Sequence, residues 1–271
     1  MKRSRWLLAA AAVGLLAVHM VLLASSMPVV RHLDVHTGAW PAGAPPLKLV
    51  LLSDLHVATP GDDLANLGRV IAEVNALHPD LVLIAGDFIS NGALLTRPVD
   101  TPAAIAPLIG LHAPLGVVGV YGNHDYLDQD RVATALARAH VTLLDNAAVR
   151  RGPLTILGIS DYSTAHDREV KAFAQAQGLG GITVALTHSP DAFPKLPPIV
   201  DLALAGHTHC GQVSLPLIGP VALSLETGRR YACGVVREGD RISVITAGLG
   251  ASNLPIRLGA VPDLWVIDIG R

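Results

Sequence analysis

The sequence predicts an α/β domain of layered strands and helices behind one apolar N-terminal helix. From Leu47 onward, short apolar runs alternate with stretches of helical periodicity, which is the pattern of a layered α/β domain. The segment from Trp6 to Val30 contains no Asp, Glu, Lys or Arg, and about 20 such residues span the hydrocarbon core of a bilayer. With 271 residues, the chain is long enough for one large domain with a buried core.

The charges that flank the apolar segment predict its orientation. Lys2, Arg3 and Arg5 precede it and Arg31 follows it, which predicts a cytoplasmic N-terminus and a domain on the far side of the membrane. In a bacterium, this is a single-pass inner-membrane protein with a periplasmic, extracytoplasmic domain. Residues 24–26, Ala-Ser-Ser, resemble a signal-peptidase site, but the apolar segment is longer than a usual signal-peptide core and favours an uncleaved anchor.

The composition divides the chain into three parts. Residues 1–31 are predicted to form the membrane anchor or signal, residues 32–46 a linker or edge segment, and residues 47–271 the folded domain. The stretch TGAWPAGAPP at 37–46 is rich in proline and glycine and cannot continue a helix.

Within the domain, the elements follow one another in α/β order. Leu47 to Ser53 is an apolar run that predicts a buried strand, and the apolar residues from Leu64 to Leu77 repeat at helical spacing. The remaining predicted elements are strand 80–85, a proline-interrupted helix near 101–112, strand 115–121, helix 130–139, and strands 141–144, 154–159, 182–187, 200–205, 241–247 and 264–269.

Five of the predicted strands end in side chains that can bind a metal ion or transfer a proton. These side chains are Asp54 and His56, Asp87, Asn123 and His124, His188, and His207 and His209. Because sites in open α/β folds gather beyond the carboxyl ends of the strands, we expect these groups to converge.

The types of side chain indicate which ions they would hold. Carboxylates, imidazoles and one carboxamide, without a thiolate, favour Mn²⁺, Fe²⁺ or Zn²⁺. The groups are too many for one tetrahedral ion and suit two ions that share a carboxylate. Two divalent cations with Asp54 and Asp87 leave a net charge of about +2, which suits an anionic substrate such as a phosphate ester.

The ordered motifs Asp54-x-His56, Gly86-Asp87, Gly122-Asn123-His124-Asp125, His188 and Gly206-His207-x-His209 resemble those of the calcineurin-like metallophosphoesterases. The resemblance covers the chain from about residue 47 onward. Stretches such as GHTHCGQVSLP resemble the bacterial branch of that family that has a single N-terminal membrane segment. The resemblance implies a four-layer αββα sandwich of two mixed sheets.

The resemblance also implies a role for each residue of the site. One metal ion would be held by Asp54, His56, Asp87 and His209, and the other by Asp87, Asn123, His188 and His207. Mn²⁺ is expected at both positions, with Fe²⁺ or Zn²⁺ as alternatives. His124 would be the general acid or a hydrogen-bond donor to the transition state, oriented by Asp125. A hydroxide that bridges the two ions would attack phosphorus in line.

Several further residues have side chains that could bind metal, phosphate or one another. Cys210, where that branch usually has glycine, and Cys233 are expected to be unpaired thiols, and a disulfide is the alternative in an oxidising compartment. Asp34-Val35-His36 repeats the Asp-x-His pattern but follows the apolar segment directly, so we do not expect it to bind metal. Arg229, Arg230 and Arg257 are expected to be solvated, with phosphate binding as the alternative. Ser90 stands where a purple acid phosphatase would have its tyrosine ligand.

These observations predict a membrane-anchored two-metal hydrolase of phosphodiester or pyrophosphate bonds, in one alternative acting on a lipid-linked substrate. A UDP-2,3-diacylglucosamine pyrophosphatase is a narrower alternative, although its substrate is cytosolic and the predicted orientation is outward. A non-catalytic metal-binding interaction module is the alternative from another class. The net charge of −2 disfavours a nuclease, and neither a nucleic-acid nor a protein partner is predicted.

Overall fold

Two mixed β-sheets of six strands each form the centre of the computed structural model, which describes residues 2–59, 64–92, 94–223 and 225–271. In spatial order, the first sheet contains β1 (Val29–His36), β16 (Asp263–Gly270), β2 (Leu47–Leu52), β4 (Leu81–Ile84), β6 (Val117–Gly119) and β7 (Val141–Leu143). The second contains β14 (Gly234–Glu238), β15 (Arg241–Ile245), β11 (Val200–Ala205), β10 (Ile182–Thr187), β9 (Leu154–Ile159) and β8 (Ala147–Arg151).

Five α-helices, five short 3-10 helices and two short strand pairs complete the described elements. The helices are α1 (Lys2–Ala24), α2 (Leu64–Ala76), α3 (Thr101–Ile105), α4 (Gln129–Arg138) and α5 (Glu169–Ala176). The pairs are β3 (Ala58–Thr59) with β5 (Arg97–Pro98), and β12 (Ser214–Leu215) with β13 (Gly219–Pro220).

The apolar core lies in three layers that separate four layers of secondary structure. The first cluster packs α2, α3 and α4 against the outer face of the first sheet. The second fills the space between the two sheets, and the third places α5 against the outer face of the second sheet. Strands such as β2 and β4 are covered on both faces, which explains their nearly continuous apolar sequences. The predicted αββα sandwich is therefore confirmed.

Parallel strands bring the ends of both sheets to one edge of the sandwich. β2, β4, β6 and β7 run parallel in the first sheet, and β9, β10, β11 and β15 run parallel in the second. The loops beyond these strands bond across the sheets, because the ring of His188 contacts the carbonyl of Ala85 and the backbone N–H of His207 donates to Asp54. The two sheets thus share one set of carboxyl-terminal loops.

The N-terminal region differs from the sequence-based expectation. Residues 29–36, which the sequence assigned to the end of the anchor and to a linker or edge segment, form β1, an edge strand parallel to β16. Before it, α1 contains the apolar stretch Arg5–Ala24, which is long and apolar enough to cross a membrane and is almost entirely exposed. β8, β14 and α5 are further elements that the sequence did not predict.

Candidate metal centre

All seven predicted metal ligands lie at the shared edge of the two sheets. They are Asp54 and His56 after β2, Asp87 after β4, Asn123 after β6, His188 after β10, and His207 and His209 after β11. The carboxylates and most of the imidazoles are buried. Their polar atoms have lost their hydration, so they need contacts with one another or with a bound ion.

The backbone of these loops is strained where it turns the ligands inward. Positive φ angles occur at Asp54 (52°), His56 (42°), Asp87 (55°), His207 (69°) and His209 (47°). Residues other than glycine avoid this region, and such strain is concentrated at functional sites. The preceding strands therefore supply the rigid support that holds five of the seven side chains in these conformations.

Two glycines allow the loops to approach one another closely. A β-carbon on Gly206 would lie 1.8 Å from Oγ of Ser53, and one on Gly122 would lie 2.2 Å from Oδ1 of Asp87. Neither position can hold a larger residue without displacing a carboxylate loop. These two glycines of the sequence motifs are therefore required by packing.

The first group of ligand atoms surrounds a point between β2 and β11. Oδ1 of Asp54 lies 3.8 Å from Nε2 of His56 and 3.4 Å from Nε2 of His209. Oδ2 of Asp87 lies 3.3 Å from the same His56 nitrogen. Among the described residues, neither Asp54 Oδ1 nor either ring nitrogen of His56 has a hydrogen-bond partner, although all three atoms are buried.

The second group shares the Asp87 oxygen. Oδ2 of Asp87 lies 3.2 Å from Nε2 of His188. Oδ1 of Asn123 lies 3.0 Å from that nitrogen and 3.0 Å from Nδ1 of His207. One carboxylate oxygen of Asp87 therefore faces both groups.

The tautomer of His188 tests whether these atoms fit a cation. Its Nδ1 must carry the proton because it lies 2.7 Å from the carbonyl oxygen of Ala85, which can only accept. In the neutral ring, Nε2 then presents a lone pair toward the oxygens of Asp87 and Asn123. Metal–ligand bonds of about 2.0–2.2 Å separate the ligands of one ion by about 3.0–3.5 Å. The distances in both groups match this range, except the 3.8 Å between Asp54 and His56. The residues present therefore fit two divalent cations that share Asp87.

The electrostatic balance of the buried groups agrees with this fit. Burial raises the pKa of Asp54. Burial also acts to raise the pKa of Asp87, but the surrounding histidines, led by His188, outweigh it and hold that pKa far below its ordinary value. Burial lowers the pKa of His209 well below its ordinary value, and the nearby His56 and Arg257 lower it further. His209 is therefore a neutral imidazole, the form that binds metal.

His124 lies beside the two groups and lines a cavity of about 680 Å³ above them. Its ring makes an edge contact with the ring of His56, with centroids 4.7 Å apart. Its backbone N–H donates to Oδ1 of Asp87 at 2.9 Å, which fixes its position relative to the shared carboxylate.

The expectation that Asp125 orients the His124 ring is wrong. The Asp125 carboxylate accepts hydrogen bonds from four backbone N–H groups. Their donors are Asp87, Phe88, Ile89 and Gly122, at 2.8–3.3 Å. Asp125 therefore holds the loop that carries Asp87 against the loop that carries Asn123, and its effect on the site is indirect.

The expectation that Arg257 is solvated is also wrong. It is fully buried, and its guanidinium donates to the carbonyl oxygens of Ala247, Gly248 and Ala260. One of its nitrogens lies 3.3 Å from Nδ1 of His209. This contact directs Nε2 of His209 toward Asp54, so Arg257 supports a ligand, a role that sequence reasoning missed. Its carbonyl partners lie in the same segment between β15 and β16, whereas His209 is 48 residues away in sequence and only the fold brings it close.

Cys210 and Cys233 form a disulfide, which corrects the expectation of two free thiols. Their Cα atoms are 4.8 Å apart; Cys210 directly follows His209, and Cys233 lies two residues after the short helix Gly228–Tyr231. The bond therefore ties the residue next to a predicted ligand to a separate surface segment.

The remaining residues that were not expected to bind metal or phosphate lie outside the candidate metal centre. Asp34 and His36 are on β1, where the ring of His36 contacts the C-terminal carbonyl of Arg271. Arg229 and Arg230 are exposed, as expected; Arg229 bonds the carbonyls of Ile218 and Pro220, and Arg230 pairs with Glu238.

The sequence model for the calcineurin-like phosphoesterase family matches residues 47–211, which is more than half of the chain. The chain therefore belongs to the calcineurin-like phosphoesterases, and we assign it as a metal-dependent phosphoester hydrolase. The matched region contains all seven predicted ligands and His124.

Relatives extend this similarity to membrane-associated proteins. The chain is 30% identical to the metallophosphoesterase YkuE of Bacillus subtilis over 248 residues, which covers 84% of this chain and 81% of the relative. It is 28% identical to a transmembrane protein with metallophosphoesterase domain from Danio rerio, covering 93% of this chain and 59% of the relative. A Helicobacter pylori metallophosphoesterase is 26% identical, covering 80% and 58%. The chain thus spans less than two thirds of these last two relatives.

Proposed function

We propose that this protein is a membrane-anchored two-metal phosphoesterase that hydrolyses phosphodiester or pyrophosphate bonds. The observation that carries the proposal is the position of one Asp87 oxygen, 3.3 Å from the His56 nitrogen and 3.2 Å from the His188 nitrogen. A single carboxylate oxygen between two sets of nitrogen and oxygen atoms is the arrangement that a pair of cations requires.

The ligand sets divide between two positions. Asp54, His56, Asp87 and His209 would hold one ion, and Asp87, Asn123, His188 and His207 the other. Two bound divalent cations, Mn²⁺ in this proposal with Fe²⁺ or Zn²⁺ as alternatives, supply Lewis-acid polarisation of the phosphoryl group and lower the pKa of a nucleophilic water. With the two aspartates, they leave a net charge of about +2 to attract the phosphate anion.

His124 acts on the leaving group. Its ring lines the cavity, and its backbone hydrogen bond to Asp87 keeps it beside the shared carboxylate. A proton from His124 to the leaving oxygen neutralises the charge that develops as the ester bond breaks. Because Asp125 bonds only backbone groups here, packing against His56 and the backbone bond orient the ring.

The disulfide supports an extracytoplasmic position for the domain. Disulfides persist in oxidising compartments and are rare in the cytosol. Together with the basic residues in the first turn of α1, the Cys210–Cys233 bond favours a cytoplasmic N-terminus and an outward-facing domain. This position weighs against UDP-2,3-diacylglucosamine pyrophosphatase activity, whose substrate is cytosolic.

Hydrolysis of bis-p-nitrophenyl phosphate in the presence of Mn²⁺ tests the proposal. We expect the purified full-length protein to release p-nitrophenolate, and His124→Ala and Asp87→Asn to lose most of that activity. Full activity in either variant would exclude the proposed mechanism. An inactive native protein with Mn²⁺, Fe²⁺ and Zn²⁺ would instead favour a non-catalytic metal-binding module.

A further inference from the structure

Three surface loops around the mouth of the cavity each expose apolar side chains. We call these residues the apolar rim: Leu94 and Leu95 after β4, Leu217, Ile218 and Val221 around the β12–β13 turn, and Leu254 after β15. Leu95 is 81% exposed, and Leu217 is fully exposed. Single exposed leucines are ordinary, whereas several around one opening indicate a surface that binds a partner.

Hydrogen bonds join the three loops into one surface. The side chain of Gln212 donates to the carbonyl of Leu254 at 2.8 Å and accepts from the backbone of Ser252 at 2.9 Å. The backbone N–H of Leu94 donates to the carbonyl of Asn253 at 2.9 Å. The backbone N–H of Val221 donates to the carbonyl of Val213 at 2.9 Å, which joins the β12–β13 turn to the same surface. Val221 and Leu254 line the cavity, so the apolar rim adjoins the edge of the cavity.

The helix α1 meets the same surface. The backbone N–H of Arg257 donates to the carbonyl of Met20 at 2.9 Å, and Met20 lies within the apolar stretch Arg5–Ala24. At 1.5 Å per residue, Met20 is roughly 6 Å from the end of that stretch. The loop that contains Leu254 and Arg257 therefore lies beside the last turn of the apolar helix. When α1 spans a membrane, this level is the bilayer interface.

We infer that the apolar rim inserts into the surface of the bilayer that α1 spans, so that the cavity opens toward the lipid headgroups. The substrate class that fits is a phosphoester with an apolar tail, whose tail remains in the bilayer while its phosphate enters the cavity. This inference rests on the proposed function for its chemistry. The position of the rim rests only on the contacts of the loops with one another and with α1.

Fluorescence quenching tests the insertion independently of any activity. Ile218→Trp places an indole on the apolar rim. Ile199→Trp is the matched control, because Ile199 is 68% exposed, compared with 59% for Ile218, and precedes β11 at the opposite edge of the sheet. The full-length variants are reconstituted in phosphatidylcholine vesicles with brominated acyl chains. We expect the emission added by Ile218→Trp to fall about twofold or more, as for a side chain that enters the acyl boundary. Equal quenching in both variants would overturn the inference.

Activity on two substrates tests the link between the rim and the substrate. The double variant Leu217→Asp, Ile218→Asp is compared with Ile199→Asp, Val170→Asp, whose residues are exposed elsewhere. Leu217 has φ of 67°, which aspartate adopts more readily than leucine, so the rim variant is expected to fold. The substrates are bis-p-nitrophenyl phosphate in solution and hexadecyl p-nitrophenyl phosphate in the vesicles.

The two outcomes separate the inference from the proposed function. We expect the rim variant to retain the soluble activity within about twofold and to lose about tenfold or more on the vesicle ester, because only the second substrate requires docking. Equal rates of the rim and control variants on the vesicle ester would overturn the inference. A native protein that hydrolyses neither ester would refute the proposed function, and the quenching experiment would still decide the docking.

Discussion

Oδ2 of Asp87 lies 3.2 Å from Nε2 of His188, and the other nitrogen of that ring is already committed to the carbonyl of Ala85. Beside Asp87 and Asp54, the pKa of His188 is held well above its ordinary value although burial acts to lower it. The buried pair thus requires a positive charge between its two atoms. A shared metal ion supplies that charge with the ring neutral, which makes Asp87 the residue on which both proposed metal positions depend.

Replacement of Asp87 is expected to remove metal binding. Asp87→Asn eliminates the shared negative charge, so Mn²⁺ affinity should fall by more than the roughly 10–100-fold that loss of an outer-sphere partner costs. Calorimetric titration of chelator-treated protein with Mn²⁺ measures this. Asp34→Asn is the control, because Asp34 belongs to the other Asp-x-His sequence and lies on β1. Unchanged Mn²⁺ binding in Asp87→Asn would remove the basis for a shared ligand.

Replacement of His124 is expected to slow the reaction without removing metal. His124→Ala should lower kcat by about 10²–10⁴-fold, since it removes the proposed proton donor. The loss should be greater for a phenyl leaving group than for p-nitrophenyl, which needs less protonation. The matched control His112→Ala changes an exposed histidine before β6, at the opposite edge. The same loss for both leaving groups would refute the role of general acid.

Asp125 is expected to contribute to stability more than to proton transfer. The native carboxylate accepts hydrogen bonds from backbone N–H groups with both of its oxygens. In Asp125→Asn, the NH₂ group replaces one oxygen and faces these donors without a bond, so the free energy of unfolding should fall by about 3 kcal/mol. Urea unfolding followed by circular dichroism measures the change. The exposed Asp130→Asn in α4 should cost less than about 1 kcal/mol. An Asp125→Asn protein with the native free energy of unfolding would contradict this role.

Loss of the disulfide is expected to destabilise the loop that follows His209. The bond joins residues separated by 23 positions, and closing a loop of that size stabilises a protein by about 3 kcal/mol. Cys233→Ser should therefore unfold at a lower temperature than the native protein. Dithiothreitol should lower the unfolding temperature of the native protein to the same extent and leave the variant unchanged. An effect of dithiothreitol on both proteins would show that it acts elsewhere.

A reporter at the C-terminus is expected to lie outside the cytoplasm. Alkaline phosphatase fused after Arg271 should be active, because it requires an oxidising compartment for its own disulfides. A green fluorescent protein fused at the same position should be dark after export. Fluorescence without phosphatase activity would reverse the proposed orientation.

Local sequence patterns were sufficient for the strands that carry the ligands. An apolar run such as LKLVLL, followed by Asp54-Leu55-His56, indicates both a buried strand and the groups at its end. The common direction of the parallel strands then explains why ligands so distant in sequence converge.

Features that depend on contacts between distant parts of the chain could not be predicted from local sequence patterns. The edge strand β1 pairs with β16, which lies at the other end of the described chain, so the sequence around β1 does not reveal its partner. Arg257 reaches the ring of His209, which is 48 residues away in sequence, and nothing in its immediate sequence indicates this contact. Asp125 adjoins His124 in sequence, but its carboxylate points to the backbone of the Asp87 loop.

The central claim is that two cations share Asp87. A crystal structure of the Mn²⁺-loaded protein, with anomalous differences measured at the manganese edge, tests it most directly. We expect two anomalous peaks about 3.5–4 Å apart on either side of Asp87 Oδ2, one near Asp54 and one near Asn123. A single peak at full occupancy, or peaks that do not contact Asp87, would contradict the claim.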